Sequence, residues 1–191
     1  VLKNGKFSQM LQRAALFFLA AIFFTSPACA VSSGFAVSDD DPIRSVTVSV
    51  YGDRDDCTGV KVASNFVLTA RHCTIDATTK IVFANGHTHK IVGHFSPPKR
   101  YRDGGDERDL ALVKIDDDVP GPVAELANNS VSPENGSVAW IAGLGGRGIT
   151  QQSNPLRKLK VTISDRNYSR SAVSVRTEHG GAICDGDSGG P

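Results

Sequence analysis

The sequence lacks an excess of charge of either sign. Its 21 lysine and arginine residues nearly balance its 20 aspartate and glutamate residues, which leaves a net charge of +1 when the histidines are neutral. This balance gives no reason to expect a nucleic acid or an anionic membrane as a partner. The 191 residues, of which 40% are apolar, suffice for one globular domain or for two small packed halves with an ample core.

Long hydrophobic runs are also scarce. The longest covers residues 14–24 and is too short for a comfortable membrane span. Three basic residues precede it, namely Lys3, Lys6 and Arg13, and an Ala-Cys-Ala sequence ending at Ala30 follows it. This combination predicts a secretory signal peptide over residues 1–30. We therefore expect a mature protein that is secreted, extracellular or periplasmic, and that does not associate with a membrane.

Two features of this terminus leave alternatives open. Met10 is a candidate start residue, because a natural chain is not expected to begin at Val1. Cys29 is a candidate lipoprotein cysteine, although the residues before it fit that alternative poorly.

Amphipathic helices are missing from the pattern beyond residue 31. Short runs of Val, Ile and Thr, broken by Gly, Pro, Asn and Asp, instead predict an all-β protein. The glycine-rich run 143–148 lacks the Gly-Lys-Ser/Thr ending of a phosphate-binding loop, and we expect a flexible surface loop there.

The most informative motif present is CDGDSGGP, residues 184–191. It places Ser188 between an aspartate and two glycines. A serine hydroxyl is a poor nucleophile unless a base takes its proton. Glycines let the backbone turn tightly, so that its N–H groups can point at a developing oxyanion. The motif therefore predicts a nucleophile with an oxyanion hole attached.

One of the five histidines stands out as the base. His72 closes the apolar run VLTARHC, residues 67–73, whereas the others lie in polar or turn-like surroundings. Cys57 lies upstream across a strand-like stretch. A disulfide between Cys57 and Cys73 would pin the histidine loop to the neighbouring strand.

The carboxylate that orients the histidine is predicted to be Asp109. The alternation of Leu110 and Leu112 after it indicates a buried strand. An aspartate at the mouth of such a strand is costly to bury unless it is hydrogen-bonded, and a histidine N–H is a suitable donor. The competing acids at 116–118 precede a Pro-Gly turn and are expected to be solvated.

Taken together, residues 69–73, 109–112 and 186–191 resemble the three signature blocks of the chymotrypsin/trypsin-like serine proteases. Their order, His then Asp then Ser, differs from that of subtilisins and α/β-hydrolases. The resemblance covers about residues 31–191, and residues 142–145 resemble the family's Gly-Trp-Gly turn with a leucine in place of tryptophan. It implies that Ser188 is the nucleophile, His72 the base and Asp109 its orienter, with the N–H groups of Gly186 and Ser188 as the oxyanion hole.

The resemblance also implies a fold and an activity. The fold would be all-β, with two packed six-stranded Greek-key barrels of the trypsin-like type, the second incomplete in this chain. The activity would be that of a serine endopeptidase that acts on protein or peptide substrates through an acyl-enzyme, as a monomer and without a cofactor. The alternatives are a non-catalytic protease-like binding protein and an inactive truncated product.

Family members are activated when a newly cleaved Ile or Val amine pairs with the aspartate before the nucleophile, here Asp187. Val31 follows the predicted signal cleavage directly, so signal peptidase itself could create that amine. The alternative is an ordinary terminus at Val31 with the true cut elsewhere, for instance after Arg44. The resemblance also places Ala182 at the floor of the specificity pocket, where its lack of charge argues against specificity for Arg or Lys.

Three smaller features complete the expectations. The family pairs Cys184 with a downstream cysteine, and with none following, we expect Cys184 to be unpaired and the chain to be a fragment. The pair His87 and His89 follows a hairpin signal without acids in register, so no metal site is expected. The acids 39–41 are expected to form a solvated turn, with a calcium cluster or a protease recognition run as alternatives.

Overall fold

A computed structural model of the chain describes residues 30–52, 56–74, 78–98, 101–102, 105–106, 108–127, 133–145, 156–166, 172–178 and 180–191. Within these ranges nearly all regular structure is β-strand, which confirms the expected all-β class. The predicted signal segment up to residue 29, and the part of the glycine-rich run after Gly145, lie outside the described residues. In the described part of the chain, no helix has the length and apolar character that crossing a membrane requires.

The first half of the chain forms a closed six-stranded antiparallel barrel. Its strands are β2 (Thr47–Tyr51), β3 (Asp56–Ala63), β4 (Phe66–Thr69), β5 (Lys80–Val82), β6 (Thr88–Phe95) and β9 (Ala111–Ile115). The chain between β6 and β9 forms a separate two-stranded ladder of β7 (Tyr101–Arg102) and β8 (Gly105–Asp106). The barrel order is β2-β3-β4-β9-β6-β5. The interior is filled by β-branched side chains such as Val50, Val67 and Ile81, all fully buried. Such residues suit a pleated, half-buried surface.

The second half forms an open sheet in which β11 (Arg157–Asp165) pairs with three other strands. These are β1 (Phe35–Ala36), β10 (Val138–Gly143) and β12 (Ser174–Thr177). Leu159 and Val161 of β11 are buried against Val31 from the N-terminal segment. A closed first barrel beside a partial second sheet is the architecture that the resemblance implies.

The strand that was predicted after Asp109 is present as β9, and its inward face carries the smaller and β-branched residues. Ala111, Val113 and Ile115 are buried in the barrel, whereas Leu110 is 48% exposed and Leu112 is half-buried. Both faces of this strand carry apolar residues, so period-two alternation shows that a strand is present without showing which face points inward. Asp109 consequently precedes the strand in an exposed connection.

A five-residue helix, α1 (Pro42–Val46), was not expected from the sequence. Asp41 caps it by accepting a hydrogen bond from the Ile43 N–H at 3.0 Å, and the proline occupies the first turn, where it needs no partner for a missing N–H. The Asp41 carboxylate also forms an ion pair with Lys158 of β11. The prediction of a solvated turn therefore holds for the exposed Asp39 and Asp40 but is wrong for Asp41.

Candidate active site

His72 and Asp109 meet at one end of the first barrel. His72 lies in a 3₁₀ turn, Arg71–Thr74, that follows β4, and Asp109 lies just before β9. Because β4 and β9 pair with Thr69 opposite Ala111, the end of one strand and the start of the other are neighbours. The Nδ1 atom of His72 is 2.6 Å from Oδ2 of Asp109, and the main-chain N–H of His72 donates to Oδ1 at 2.9 Å.

This geometry sets the tautomer of the neutral histidine ring. A carboxylate only accepts hydrogen bonds, so in the neutral ring Nδ1 carries the proton and Nε2 has the lone pair. The two side chains are 46% and 40% exposed, which differs from the buried carboxylate that the sequence predicted. Hydrogen bonds from two N–H groups, rather than burial, hold Asp109 in place.

The disulfide between Cys57 and Cys73 is confirmed, with an S–S distance of 2.10 Å. It joins β3 to the turn that carries His72. The Sγ atom of Cys73 also lies 3.8 Å from the carbonyl oxygen of Ser188, across 115 residues of sequence. The loop of residues 184–190, called the nucleophile loop after the role predicted for Ser188, is therefore in contact with the turn that carries His72 through this disulfide.

The loop that carries Ser188 lies directly against the first barrel. The Ser188 carbonyl accepts a hydrogen bond from the Thr58 N–H at 2.9 Å, and the Pro191 carbonyl accepts one from Ala142 of β10 at 2.8 Å. Gly189 has a φ of +80°, and a Cβ atom there would lie 2.2 Å from Oγ1 of Thr69. The glycine after the serine thus permits the close approach of the two halves.

The sequence analysis predicted the main-chain N–H groups of Gly186 and Ser188 to form the oxyanion hole. Among the described residues, no acceptor takes a hydrogen bond from either group. Gly186 has a φ of +90°, a conformation that glycine adopts without strain.

Asp187 is buried beneath this loop, with only 6% of its surface exposed. Its Oδ2 atom accepts hydrogen bonds from the N–H of Val31 at 2.9 Å and of Cys184 at 2.8 Å, and its Oδ1 atom accepts one from Gly145 at 2.9 Å. A Cβ atom on Gly143 would lie 2.2 Å from Oδ1 of Asp187. The glycine-rich turn that the sequence analysis compared with Gly-Trp-Gly therefore makes room for this carboxylate.

Ala182 lies beside the N-terminal segment. The Ser32 N–H donates to the Ala182 carbonyl at 2.8 Å, and the Ala182 N–H donates to Oγ of Ser32 at 3.0 Å. The Ala182 residue is exposed and carries no charge. The structure thus brings the predicted pocket residue next to Val31.

Cys184 is disulfide-bonded, so the prediction that it is unpaired is wrong. Its bonded partner is not among the described residues.

Sequence reasoning also missed charged groups that the fold brings together. Nδ1 of His89 lies 3.2 Å from Oδ1 of Asp116, and Asp117 adds a third ligand-type atom within 4.8 Å, although no acids in register had been expected. Lys61 is 2% exposed and donates to the carbonyls of Pro120 and Gly121 at 3.0 and 3.2 Å. Burial lowers the pKa of Lys61. No local pattern in the sequence signals these pairings.

The chain resembles several known proteins. Snake venom serine proteinase 14 from Crotalus adamanteus is 32% identical in an alignment of 164 positions that covers 74% of this chain and 64% of that protein. A snake venom serine protease from Bothrops jararaca is 30% identical in an alignment of 161 positions that covers 71% of this chain and 61% of that protein. The chain therefore spans less than two thirds of the length of these relatives.

Solved structures share the fold. Neuropsin, described as a serine protease of mouse brain, superposes with a TM-score of 0.66 at 20% identity, covering 83% of this chain and 80% of that one. Human heparin binding protein gives a TM-score of 0.70 at 20% identity, covering 83% and 78%. The family model described as Trypsin matches residues 37–191. The chain therefore belongs to the trypsin family of serine proteases.

Proposed function

We propose that this protein is a secreted serine endopeptidase that cleaves peptide bonds through an acyl-enzyme at Ser188. The observation that carries the proposal is the hydrogen-bonded pair of His72 and Asp109 beside the loop that holds Ser188. The venom serine proteases among the relatives support the same class of reaction. Protein or peptide chains are the proposed substrates, and the protein is proposed to act as a monomer without a nucleic acid, membrane or cofactor.

Ser188, His72 and Asp109 each have a defined part in the proposed reaction. Oγ of Ser188 attacks the scissile carbonyl carbon while Nε2 of His72 takes the hydroxyl proton. The C–N bond then breaks as His72 gives that proton to the leaving amine, and water hydrolyses the acyl-enzyme by the same route in reverse. Asp109 keeps the imidazole in the required tautomer. The N–H groups of Gly186 and Ser188 stabilise the oxyanion, and the loss of one such donor typically costs about 3 kcal/mol.

Activation is proposed to occur at Val31. A cut between Ala30 and Val31 would turn a neutral amide into an α-ammonium group, and the amide nitrogen already lies 2.9 Å from Oδ2 of Asp187. A buried carboxylate gains from such a cation, because the two charges are removed from water together. Signal peptidase is the proposed enzyme for this cut.

The primary specificity is proposed to exclude Arg and Lys. The basis is Ala182, which offers no negative charge at the position that the family resemblance places in the pocket. Peptides that differ only in the residue before the scissile bond test this proposal. Faster cleavage after Arg than after Phe, Leu or Ala would contradict it.

The main test is covalent labelling by a fluorophosphonate of the protein expressed from its full reading frame. We expect stoichiometric labelling on Ser188, because only an activated serine reacts with such a reagent. Ser188→Ala should abolish labelling, and His72→Ala should slow it by at least about a thousandfold, since the base is lost. An exposed serine such as Ser45, changed to Ala, is the matched control and should label like the wild type. A folded wild type that does not label would favour the binding-protein or inactive-product alternative.

A further inference from the structure

Thr58 is the third residue of β3 and is completely buried. Its main-chain N–H donates to the Ser188 carbonyl at 2.9 Å, and its hydroxyl donates to the Gly186 carbonyl at 2.8 Å. The hydroxyl oxygen also accepts a hydrogen bond from the Leu144 N–H at 3.1 Å. One residue of the first barrel therefore holds both carbonyls on either side of Asp187.

The chemistry of these partners fixes the direction of each hydrogen bond. A carbonyl only accepts, so the single hydroxyl hydrogen of Thr58 points at Gly186, and the Leu144 N–H fills an oxygen lone pair. The carbonyl of Thr58 in turn accepts a hydrogen bond from the Thr69 hydroxyl at 2.8 Å. Every polar group of Thr58 is thus used, and neither the residue nor its hydroxyl can rotate without breaking a buried hydrogen bond.

The Thr58 side chain supplies a hydroxyl group, which adds two hydrogen bonds to those of the backbone. Any residue at this position could offer an N–H to Ser188, but only serine or threonine adds a hydroxyl on a short stem. The methyl group of Thr58 lies close to Gly190, because it would be 3.3 Å from a Cβ atom built on that glycine. Without the hydroxyl, the Gly186 carbonyl and the Leu144 N–H would both lose a partner.

We infer that Thr58 is a positioning residue for the oxyanion hole. By holding the Gly186 carbonyl with its hydroxyl and the Ser188 carbonyl with its N–H, it limits the rotation of the two residues whose N–H groups would bind the oxyanion. This inference rests on the proposed function. It adds a device contributed by the first barrel, 128 residues away in sequence, to a loop of the second half.

The test compares Thr58→Val with Thr58→Ser and with a buried threonine elsewhere. Thr47 of β2 is 5% exposed, and its hydroxyl donates to the Ile43 carbonyl within the same segment, so Thr47→Val is the matched control. For Thr58→Val we expect kcat to fall about 10- to 100-fold with KM changed less than about threefold, because a small displacement of catalytic donors costs rate rather than binding. Thr58→Ser should keep kcat within about threefold of the wild type, and so should Thr47→Val despite a lower melting temperature.

Three outcomes would overturn the inference. These are a kcat of Thr58→Val within threefold of the wild type, an equal loss of kcat in Thr47→Val, and a failure of serine to restore kcat. If Thr58→Val does not fold, Thr58→Ala carries the same comparison. Faster amide hydrogen exchange in residues 184–190 of the valine variant, but not of Thr47→Val, is the expected result in a measurement that needs no substrate. If the wild type does not label with fluorophosphonate, the proposed function itself is overturned. If the wild type labels and Thr58→Val is unimpaired, only the role of Thr58 is overturned.

Discussion

At the scale of single residues, glycines 86 and 189 share a backbone conformation and differ in their surroundings. Their φ angles are +81° and +80°. A Cβ on Gly86 would have no atom within 4 Å, whereas a Cβ on Gly189 would lie 2.5 Å from the Thr58 carbonyl oxygen and 2.6 Å from the Ala70 nitrogen. The penalty that arises from φ is therefore similar at the two glycines, whereas the steric penalty differs.

Replacing each glycine with alanine separates these penalties. We expect Gly86→Ala to cost about 1 kcal/mol, from the left-handed conformation alone. Gly189→Ala should cost at least about 2 kcal/mol more, because the clash is with backbone atoms that cannot move aside. Chemical denaturation of both variants measures the difference. Equal losses of stability would mean that the nucleophile loop does not lie against β3 and β4 as described.

The same scale shows how far local patterns predicted the site. The motifs around His72, Asp109 and Ser188 could be found because each is a contiguous block with its own chemistry. The hydrogen bonds that hold the loop of Ser188 in place come from Thr58, and no sequence pattern near Ser188 predicts them. The contact between Asp187 and Val31 was proposed only because a family resemblance supplied it, since the two residues are 156 positions apart.

At the scale of elements, an ion pair links the start of α1 to β11, which also pairs with β1. Asp41 caps the helix and forms an ion pair with Lys158, whose Nζ also lies 4.9 Å from the centre of the Trp140 ring. The hydrogen bond from Lys158 lowers the pKa of Asp41 below its ordinary value of 3.8, with help from the Ile43 N–H. The segment that follows Val31 is thereby fastened to the second sheet.

The pH dependence of stability follows from the direction of this pKa shift. Because the folded pKa lies below the unfolded one, the ionised carboxylate favours folding above pH 3.8, and this contribution is lost as the pH falls through the folded value. Asp41→Asn keeps the helix cap and removes the charge. We expect it to melt below the wild type at pH 7, with a gap that closes as the pH falls below 3.8.

Thermal melts at neutral and acidic pH provide the measurement. Asp117→Asn, at an exposed acid near the end of β9, is the control and should show a smaller gap at pH 7. A gap for Asp41→Asn that persists unchanged at acidic pH would show that the charge is not its source.

The elements also show where sequence reasoning fails for a physical reason. Alternation predicted the strand after Asp109, yet the side with Leu110 faces outward, because smaller and β-branched residues fill the barrel interior. The helix α1 is too short for a periodic pattern, and its signals are only a cap and a proline. Barrel closure itself depends on pairings between distant strands, such as β6 with β9. The resemblance predicted a barrel, but neither it nor the residue patterns predicted these pairings.

At the scale of the whole molecule, the N-terminal segment reaches across to the nucleophile loop. Val31 is 1% exposed, packs against Leu159 and Val161 and donates its N–H to Asp187. A residue near the start of the described chain is therefore part of the support beneath Ser188.

The mature N-terminus tests this arrangement. We expect sequencing of the secreted protein to begin at Val31, and Asp187→Asn to lower activity at least about tenfold, because a buried pairing of opposite charges is lost. Asp185, two residues before Asp187 and exposed, is the control, and Asp185→Asn should retain activity. A terminus after Arg44, or full activity of Asp187→Asn, would contradict the proposal.

The backbone conformation at Val31 has a consequence for the free energy of the proposed cut between Ala30 and Val31. With Ala30 still attached, Val31 has a φ of +27°, which a β-branched residue adopts only at a cost of about 1–3 kcal/mol. Cutting that bond removes the preceding carbonyl, so the strain disappears while the nitrogen is already in place beside Asp187. Release of this strain would make the cut more favourable in free energy, and the new ammonium group would form at the position from which the nitrogen already contacts Asp187.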